Sequence, residues 1–256
     1  MITNFGIEIP CLHRIHQGSP RVNHNISHKI GMSVELNDLI IRLDSLNSTA
    51  TSRGYADNSV LITFDDGWSD VLSLTDYFRQ AKKLQPVLFL THDQILGNSS
   101  LLPLSRLYAW CDHWSVDINS IPELGITREG LKSLSENLQH SILDDLEIPK
   151  TISSSQVLST EEIENLVDEG WIIASHAHDH HDMRFDEDEQ LLQGLTQARI
   201  EIERAGGEPW LAWPEGRCTM RTCNIAKQAG FTKQFGLDIE SGNVSHPDLI
   251  TRKIWS

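Results

Sequence analysis

The chain has 256 residues, with 36 Asp and Glu against 21 Lys and Arg, and a formal net charge of −15 when its 12 histidines are neutral. That surplus repels phosphate backbones and anionic headgroups, which argues against a nucleic-acid partner or a lipid surface gripped through a basic face. With 39% hydrophobic residues and a mean hydropathy of −0.29, the sequence carries enough apolar material for a core and does not have the composition of a disordered polymer.

In chain order, residues 7–12 predict a first buried strand. Val34, Leu36, Leu39, Ile40, Leu43 and Leu46 recur close to the helical period behind Ser33, a candidate N-cap, so a helix is expected over 34–46. Val60-Leu61-Ile62-Thr63-Phe64 is a short β-branched and aromatic run that ends at Asp65-Asp66-Gly67. A helix over 70–83 and a strand over 86–91 follow. Ser159-Thr160-Glu161-Glu162 carries the S-x-x-E capping box, and Gly170 stops its helix before a strand at 171–175. A long helix over 187–205 runs up to Gly206-Gly207, and its acidic start, Asp186-Glu187-Asp188-Glu189, suits the helix dipole. A strand at 210–213, a helix over 219–229 closed by Gly230, a strand at 231–236 and a last run at 249–255 complete the set. About seven strands with intervening helices predict an α/β architecture with parallel strands, open or closed into a barrel. Residues 97–157 break the rhythm with an apolar stretch at 101–114, a helix near 127–140 and polar punctuation at 151–156. So short a segment buries little core alone, so it is expected as an insertion on a single 1–256 domain.

Met1-Ile2-Thr3-Asn4-Phe5-Gly6 lacks a basic region followed by an apolar one, and no apolar run approaches the roughly 18 residues of a spanning helix. A soluble, cytoplasmic chain without a membrane-spanning segment is the expectation, unless the N-terminus is incomplete. Cys11, Cys111, Cys218 and Cys223 are scattered without a C-x-x-C pair, so neither a disulfide framework nor a thiolate zinc site is expected.

Reactive groups of α/β sheets and barrels collect in loops at the C-terminal ends of strands, and three polar clusters occupy such places. Asp65-Asp66-Gly67 is compatible with a plain turn, but two adjacent carboxylates leaving a buried strand need a cation to compensate them. Ser175-His176-Ala177-His178-Asp179-His180-His181-Asp182 supplies imidazoles, and two of them four residues apart can converge on one point. Two histidines and one carboxylate make a three-ligand site for a divalent transition metal with an open position. Leu211-Ala212-Trp213-Pro214-Glu215-Gly216-Arg217 is a strand end followed by a Pro/Gly turn.

In this order the three clusters resemble the motifs of the polysaccharide deacetylases, the NodB-homology group of carbohydrate esterases. Thr63-Phe64-Asp65-Asp66-Gly67 is similar to their TFDDG signature, Ser175 to His180 to their S-H-x-x-x-H motif, and Ala212 to Gly216 to their third motif. The resemblance runs from about residue 11 to about residue 254 and implies a distorted (β/α)7 barrel that removes N-acetyl groups from amino sugars with a divalent metal, zinc first and cobalt or nickel as alternatives. Carried over, it implies Asp66, His176 and His180 as metal ligands, Asp65 as general base and the backbone N–H of Glu215 as oxyanion donor. The commoner pattern takes its general acid from a late Leu-His motif that this sequence lacks. Cys11-Leu12-His13-Arg14-Ile15 is similar to the start of a circularly permuted subgroup containing poly-N-acetylglucosamine deacetylases, in which an N-terminal histidine takes that place. His13 is therefore the candidate acid, with His246, before Pro247 in a loop, as the other. The run at 249–254 is also like that subgroup's final strand.

The sequence departs from the family elsewhere. Glu215 stands where an aromatic residue is usual, the third-motif arginine that braces the catalytic aspartate is absent, and His181 replaces a proline. His178 and His181 are additional imidazoles, expected in the loop. Trp68, Trp210 and Trp213 fit either the core or a sugar-stacking surface. The functional expectation is a metal-dependent carbohydrate N-deacetylase whose partner is an N-acetylated carbohydrate. Its rivals are a same-fold amidase or deformylase on a non-polymeric substrate, a catalytically weak carbohydrate-binding relative, and a metal-binding structural protein.

Overall fold

Apolar runs with alternating inward and outward residues become parallel strands that close on themselves. The computed structural model describes residues 7–18, 26, 30–97, 101–118, 121, 124–148, 156–238 and 244–256. Its strands are β1 (Pro10–Leu12), β2 (Arg14–His16), β3 (Ser33–Glu35), β4 (Val60–Phe64), β5 (Leu84–Leu90), β6 (Ile172–Ser175), β7 (Trp210–Ala212), β8 (Lys233–Leu237) and β9 (Leu249–Ile254). β1, β4, β5, β6, β7, β8 and β9 form a closed barrel in that order, and β2 pairs with β3 as a separate two-stranded sheet. Closure is made by β9 on β1, with Pro10 opposite Lys253 and Cys11 opposite Ile254.

The alternation sorts the core into layers. Val60, Ile62, Phe64, Leu84, Leu88, Leu90 and Ile173 face outward and pack with Leu39, Leu43, Phe78, Leu166 and Trp171 beneath the surrounding helices. Phe64, Phe78 and Trp171 pack ring against ring there, with centroids 5.2–6.1 Å apart. Ile9, Leu61, Val87, Phe89, Ala174, Trp210, Ala212 and Phe235 fill the barrel interior. In β4 the inward positions are Leu61 and Thr63, and the next step of the same parity is Asp65. Likewise Ile9 and Cys11 lead to His13, Ala174 leads to His176, and Ile250 leads to Arg252 and Ile254.

Several element boundaries differ from the sequence expectation. The first long helix spans Leu36–Ser52, with Glu35 as its cap through a bond from the Asp38 N–H at 3.1 Å. Ser33 cannot cap it, because it is paired with Arg14 in the β2–β3 ladder. Residues 70–83 divide into a 3₁₀ turn, Ser69–Leu74, and a short α-helix, Thr75–Gln80. The Ser73 and Thr75 hydroxyls donate to the carbonyls of Asp70 and Leu72, each three residues back, which favours the tighter turn. The helix expected near 127–140 is two helices, Arg128–Lys132 and Glu136–Asp145. The Ser159 capping box forms as expected, with the helix at Thr160–Asp168.

Within 97–157, the helices Pro103–Trp114, Arg128–Lys132 and Glu136–Asp145 gather around Leu104, Leu107, Cys111, Leu131 and Leu143, joined by Ile26 and Ile148. A smaller apolar contact of Trp68, Leu101, Ala109 and Val157 fastens this segment to the barrel. Part of 151–156 lies outside the described residues. Among the described residues, no helix is long and apolar enough to cross a membrane.

The approach to β7 is tight at one glycine. A Cβ on Gly207 would stand 2.4 Å from the Ile173 carbonyl oxygen, whereas one on Gly206, at φ +79°, would meet nothing within 4 Å. Gly206→Ala is expected to cost about 1 kcal/mol of backbone strain, and Gly207→Ala about 3 kcal/mol because a β6 backbone atom must move. Urea unfolding of the two variants checks the order.

Candidate active site

Parity brings His13, Asp65, His176 and Arg252 to the same end of the barrel, at the C-terminal ends of the strands. The Asp65 N–H donates to Leu12 O at 2.9 Å and the His176 N–H to Leu90 O, so each leaves its strand still tied to the neighbouring one. Asp66 would point away by simple alternation. Instead it takes φ +69° and Gly67 φ +64°, a left-handed pair that returns the Asp66 carboxylate to the site. Gly67 is required twice over, since a Cβ there would meet Leu90 Cδ2 at 2.8 Å. Gln94 Nε2 donates to Asp66 O at 2.7 Å and holds the turn.

Donor atoms of Asp66, His176 and His180 lie within 4.8 Å of one another. His176 Nε2 and His180 Nε2 stand 3.5 and 3.4 Å from Asp66 Oδ1. That oxygen is buried without a hydrogen-bond partner. His176 Nδ1–H donates to Ala212 O at 2.9 Å, which leaves the Nε2 lone pair aimed at Asp66. Two imidazole nitrogens and one orphaned carboxylate oxygen fit a divalent transition metal. Burial opposes ionisation of Asp66, yet the imidazoles of His176, His180 and His13 outweigh it and hold its carboxyl below the usual range. His176 is pushed up, since Asp65 and Asp66 overcome its burial, whereas burial dominates at His180 and pushes it down.

Asp65 is held by a group that the sequence reading did not identify. Arg252, buried on β9, donates through Nη1 to Oδ1 at 2.6 Å and through Nη2 to Oδ2 at 2.8 Å. Nη1 also reaches Thr63 Oγ1 at 3.1 Å, and the guanidinium carbon stands 5.2 Å from the Phe89 ring centre. Burial would raise the Asp65 carboxyl, but Arg252 and then His176 more than offset it, leaving it at about 2. The brace missing from the third motif thus comes from the last strand. Its signal lay in Ile250, Arg252 and Ile254, which put a cation on the apolar face of a barrel strand.

His13 and Glu215 reach the same cavity, of about 200 Å³, lined also by Asp65, Asp66, His176 and His180. His13 is buried, and its Nδ1 has no hydrogen-bond partner among the described residues. His246 is not among the cavity-lining residues, and its Nδ1 accepts the Asp248 N–H at 3.2 Å. Glu215 sits at φ 55°, ψ 11°, in a turn whose own bonds use the N–H groups of Gly216 and Arg217. Its carboxylate meets Lys132 Nζ at 2.5 Å; burial is outweighed by Lys132 and His180, and its pKa is lowered. His178 bonds Asp179 and stacks on His92 at 4.4 Å, while His181 Nε2 bonds Asp186 at 2.8 Å, so both are occupied in the loop. Trp68, Trp210 and Trp213 are buried in apolar clusters and none lines the cavity, which assigns them to the core and not to sugar stacking. Leu102, Leu104, Ser105, Tyr108, Arg128 and Lys132 bring the inserted segment over the cavity.

The polysaccharide deacetylase family model matches residues 52–234. No curated protein matches the chain. Among solved structures, the deacetylase PplD from Streptococcus pyogenes, in complex with acetate, is similar at a TM-score of 0.56 and 13% identity, over 97% of this chain and 92% of that one. A de-N-acetylase from Aggregatibacter actinomycetemcomitans has a TM-score of 0.56 at 14% identity, over 97% and 94%. The BpsB deacetylase domain from Bordetella bronchiseptica has 0.51 at 13%, over 97% and 96%. At these identities the likeness is one of fold.

Removing the brace tests its energetic weight. In metal-free protein, Arg252→Met strands a buried carboxylate and is expected to cost about 3–5 kcal/mol of stability. Adding Asp65→Asn to Arg252→Met should recover part of that loss, as read by a double-mutant cycle from urea unfolding.

Proposed function

Because the chain belongs to the polysaccharide deacetylase family, we propose that it removes N-acetyl groups from an amino-sugar-containing glycan or glycan precursor by metal-dependent hydrolysis. The observation that carries the reading is the Asp66–His176–His180 donor set beside an Arg252-held Asp65 at one cavity. Asp66, His176 and His180 would hold the ion, with zinc the first choice and cobalt or nickel acceptable to the same donors. When bound, such an ion acidifies a water and polarises the acetamide carbonyl.

The chain's own groups supply the rest. Asp65 is ionised at neutral pH and fixed by Arg252, so a carboxylate oxygen is ready to accept the proton of the attacking water. The turn at φ 55° leaves the Glu215 N–H free of the turn's own bonds and able to serve the developing oxyanion. His13 donates a proton to the departing amine, so that water and amide become acetate and a free amino group. The cavity, at about 200 Å³, is smaller than the ~300–1,000 Å³ common for ligand pockets. It suits an acetamido group with the sugar that bears it. The Lys132–Glu215 pair puts charge where relatives usually place an aromatic wall. That smallness also favours, as a second reading, a small non-sugar amide or formamide.

Metal-reconstituted protein should hold one equivalent of transition metal at the Asp66–His176–His180 donors and release acetate from some members of a panel of N-acetylated oligosaccharides and small amides. Asp65→Asn should keep that ion and lose about 10²–10⁴-fold in kcat; an active variant, or protein that takes up no metal, overturns the reading. His13→Ala should lose about 10²-fold on an N-acetyl sugar and much less on an acetanilide, whose amine leaves with less protonation. Equal losses on both substrates would remove His13 as the acid.

A further inference from the structure

A second donor cluster stands beside the first and shares no atom with it. Cys11 and His13 are two residues apart at the end of β1, so both face inward, and Asp65 projects from the neighbouring β4. Donor atoms of the three lie within 4.8 Å of one another. Cys11 Sγ is 3.4 Å from Asp65 Oδ2, already close to the roughly 3.5 Å between donors of a tetrahedral zinc site. Cys11 is fully buried, and His13, only 8% exposed, has an unpartnered Nδ1. Neither the base nor the acid role assigned above accounts for the thiol.

We propose that Cys11, His13 and Asp65 form a second, inhibitory site for a thiophilic divalent ion such as zinc. One sulfur, one imidazole nitrogen and one carboxylate oxygen make a set that suits zinc and cobalt and disfavours magnesium or calcium. His13 and Asp65 line the cavity, so an entering ion meets them first and Cys11 closes the site from behind. Binding exchanges the thiol proton, released to solvent, for the metal. Arg252 already bonds both oxygens of Asp65, Oδ1 at 2.6 Å and Oδ2 at 2.8 Å, so the ion shares Oδ2 with the guanidinium, and thiolate, carboxylate, guanidinium and dication together leave the loaded site one positive charge. The scattered cysteines gave no sign of this in the sequence, because the third donor is 54 residues away from Cys11 along the chain. The site stands on its own geometry. Its inhibitory effect rests on the proposed function, since a second ion would capture both base and acid.

Cobalt titration of the metal-free, full-length protein tests the site. Two equivalents should bind, with a sulfur-to-cobalt charge-transfer band that His180→Ala retains while binding one equivalent. Cys11→Ser and Cys11→Ala should lose the band and keep the other equivalent, and His13→Ala should weaken the band's binding at least tenfold. No band with excess cobalt, or a band that survives both Cys11 substitutions, overturns the site. Acetate release should fall at least tenfold between one and two equivalents of zinc in the wild type, with a ratio near one in Cys11→Ala. An unchanged ratio in the wild type overturns the inhibition. A cobalt band from a protein that never releases acetate would leave the site standing and remove the deacetylase reading instead.

Discussion

Asp65 and Arg252 meet where the barrel closes, and both are buried. Separately each is an expensive group to place in a core; together, with two bonds and a third from Arg252 to Thr63, they are tolerated. The pair also reads the register of the last strand. A one-residue slip of β9 would turn Thr251 or Lys253 inward and strand Asp65 beside Asp66. Fold closure and the ionisation of Asp65 are therefore one requirement. The same guanidinium fixes the carboxylate's orientation through two bonds, one to each oxygen.

The rest of the site follows from neighbours of that pair. His176 owes the Nε2 lone pair it turns towards Asp66 to the Ala212 carbonyl on β7, so the third loop shapes the candidate metal centre through a hydrogen bond. Asp66 reaches the centre through a left-handed backbone step that Gln94 secures. Strained geometry of this kind is tolerated where the surroundings over-determine it.

Much of this was legible in the sequence, and the failures have physical causes. Val60–Phe64 emerges with the bounds that its β-branched run implies, and Ser159 caps its helix through local bonds encoded within four residues. Boundaries failed where tertiary pairing intervened, as when Ser33 joined a ladder instead of capping a helix. Adjacent acids and a histidine pair four apart carry a local signal, so Asp65, Asp66, His176 and His180 stand out in the sequence, and the fold gathers all four at one cavity. Arg252 and Lys132 were missed because their meaning depends on partners 187 and 83 residues away. Cys11 was dismissed for lack of a second cysteine, although its neighbours in space are a histidine and an aspartate.

The inserted segment meets the barrel along two unlike edges. One is apolar, made by Trp68, Leu101, Ala109 and Val157. The other is ionic, made by Lys132 on Glu215 and by Arg217 on Glu129, the last carboxylate being 54% exposed. Dissolved salt screens the second edge and leaves the first unscreened, and a kosmotropic salt such as sulfate strengthens the first. Ionic strength therefore acts unequally on the two contacts that hold the inserted segment beside the cavity, loosening its charged side while leaving its apolar side in place.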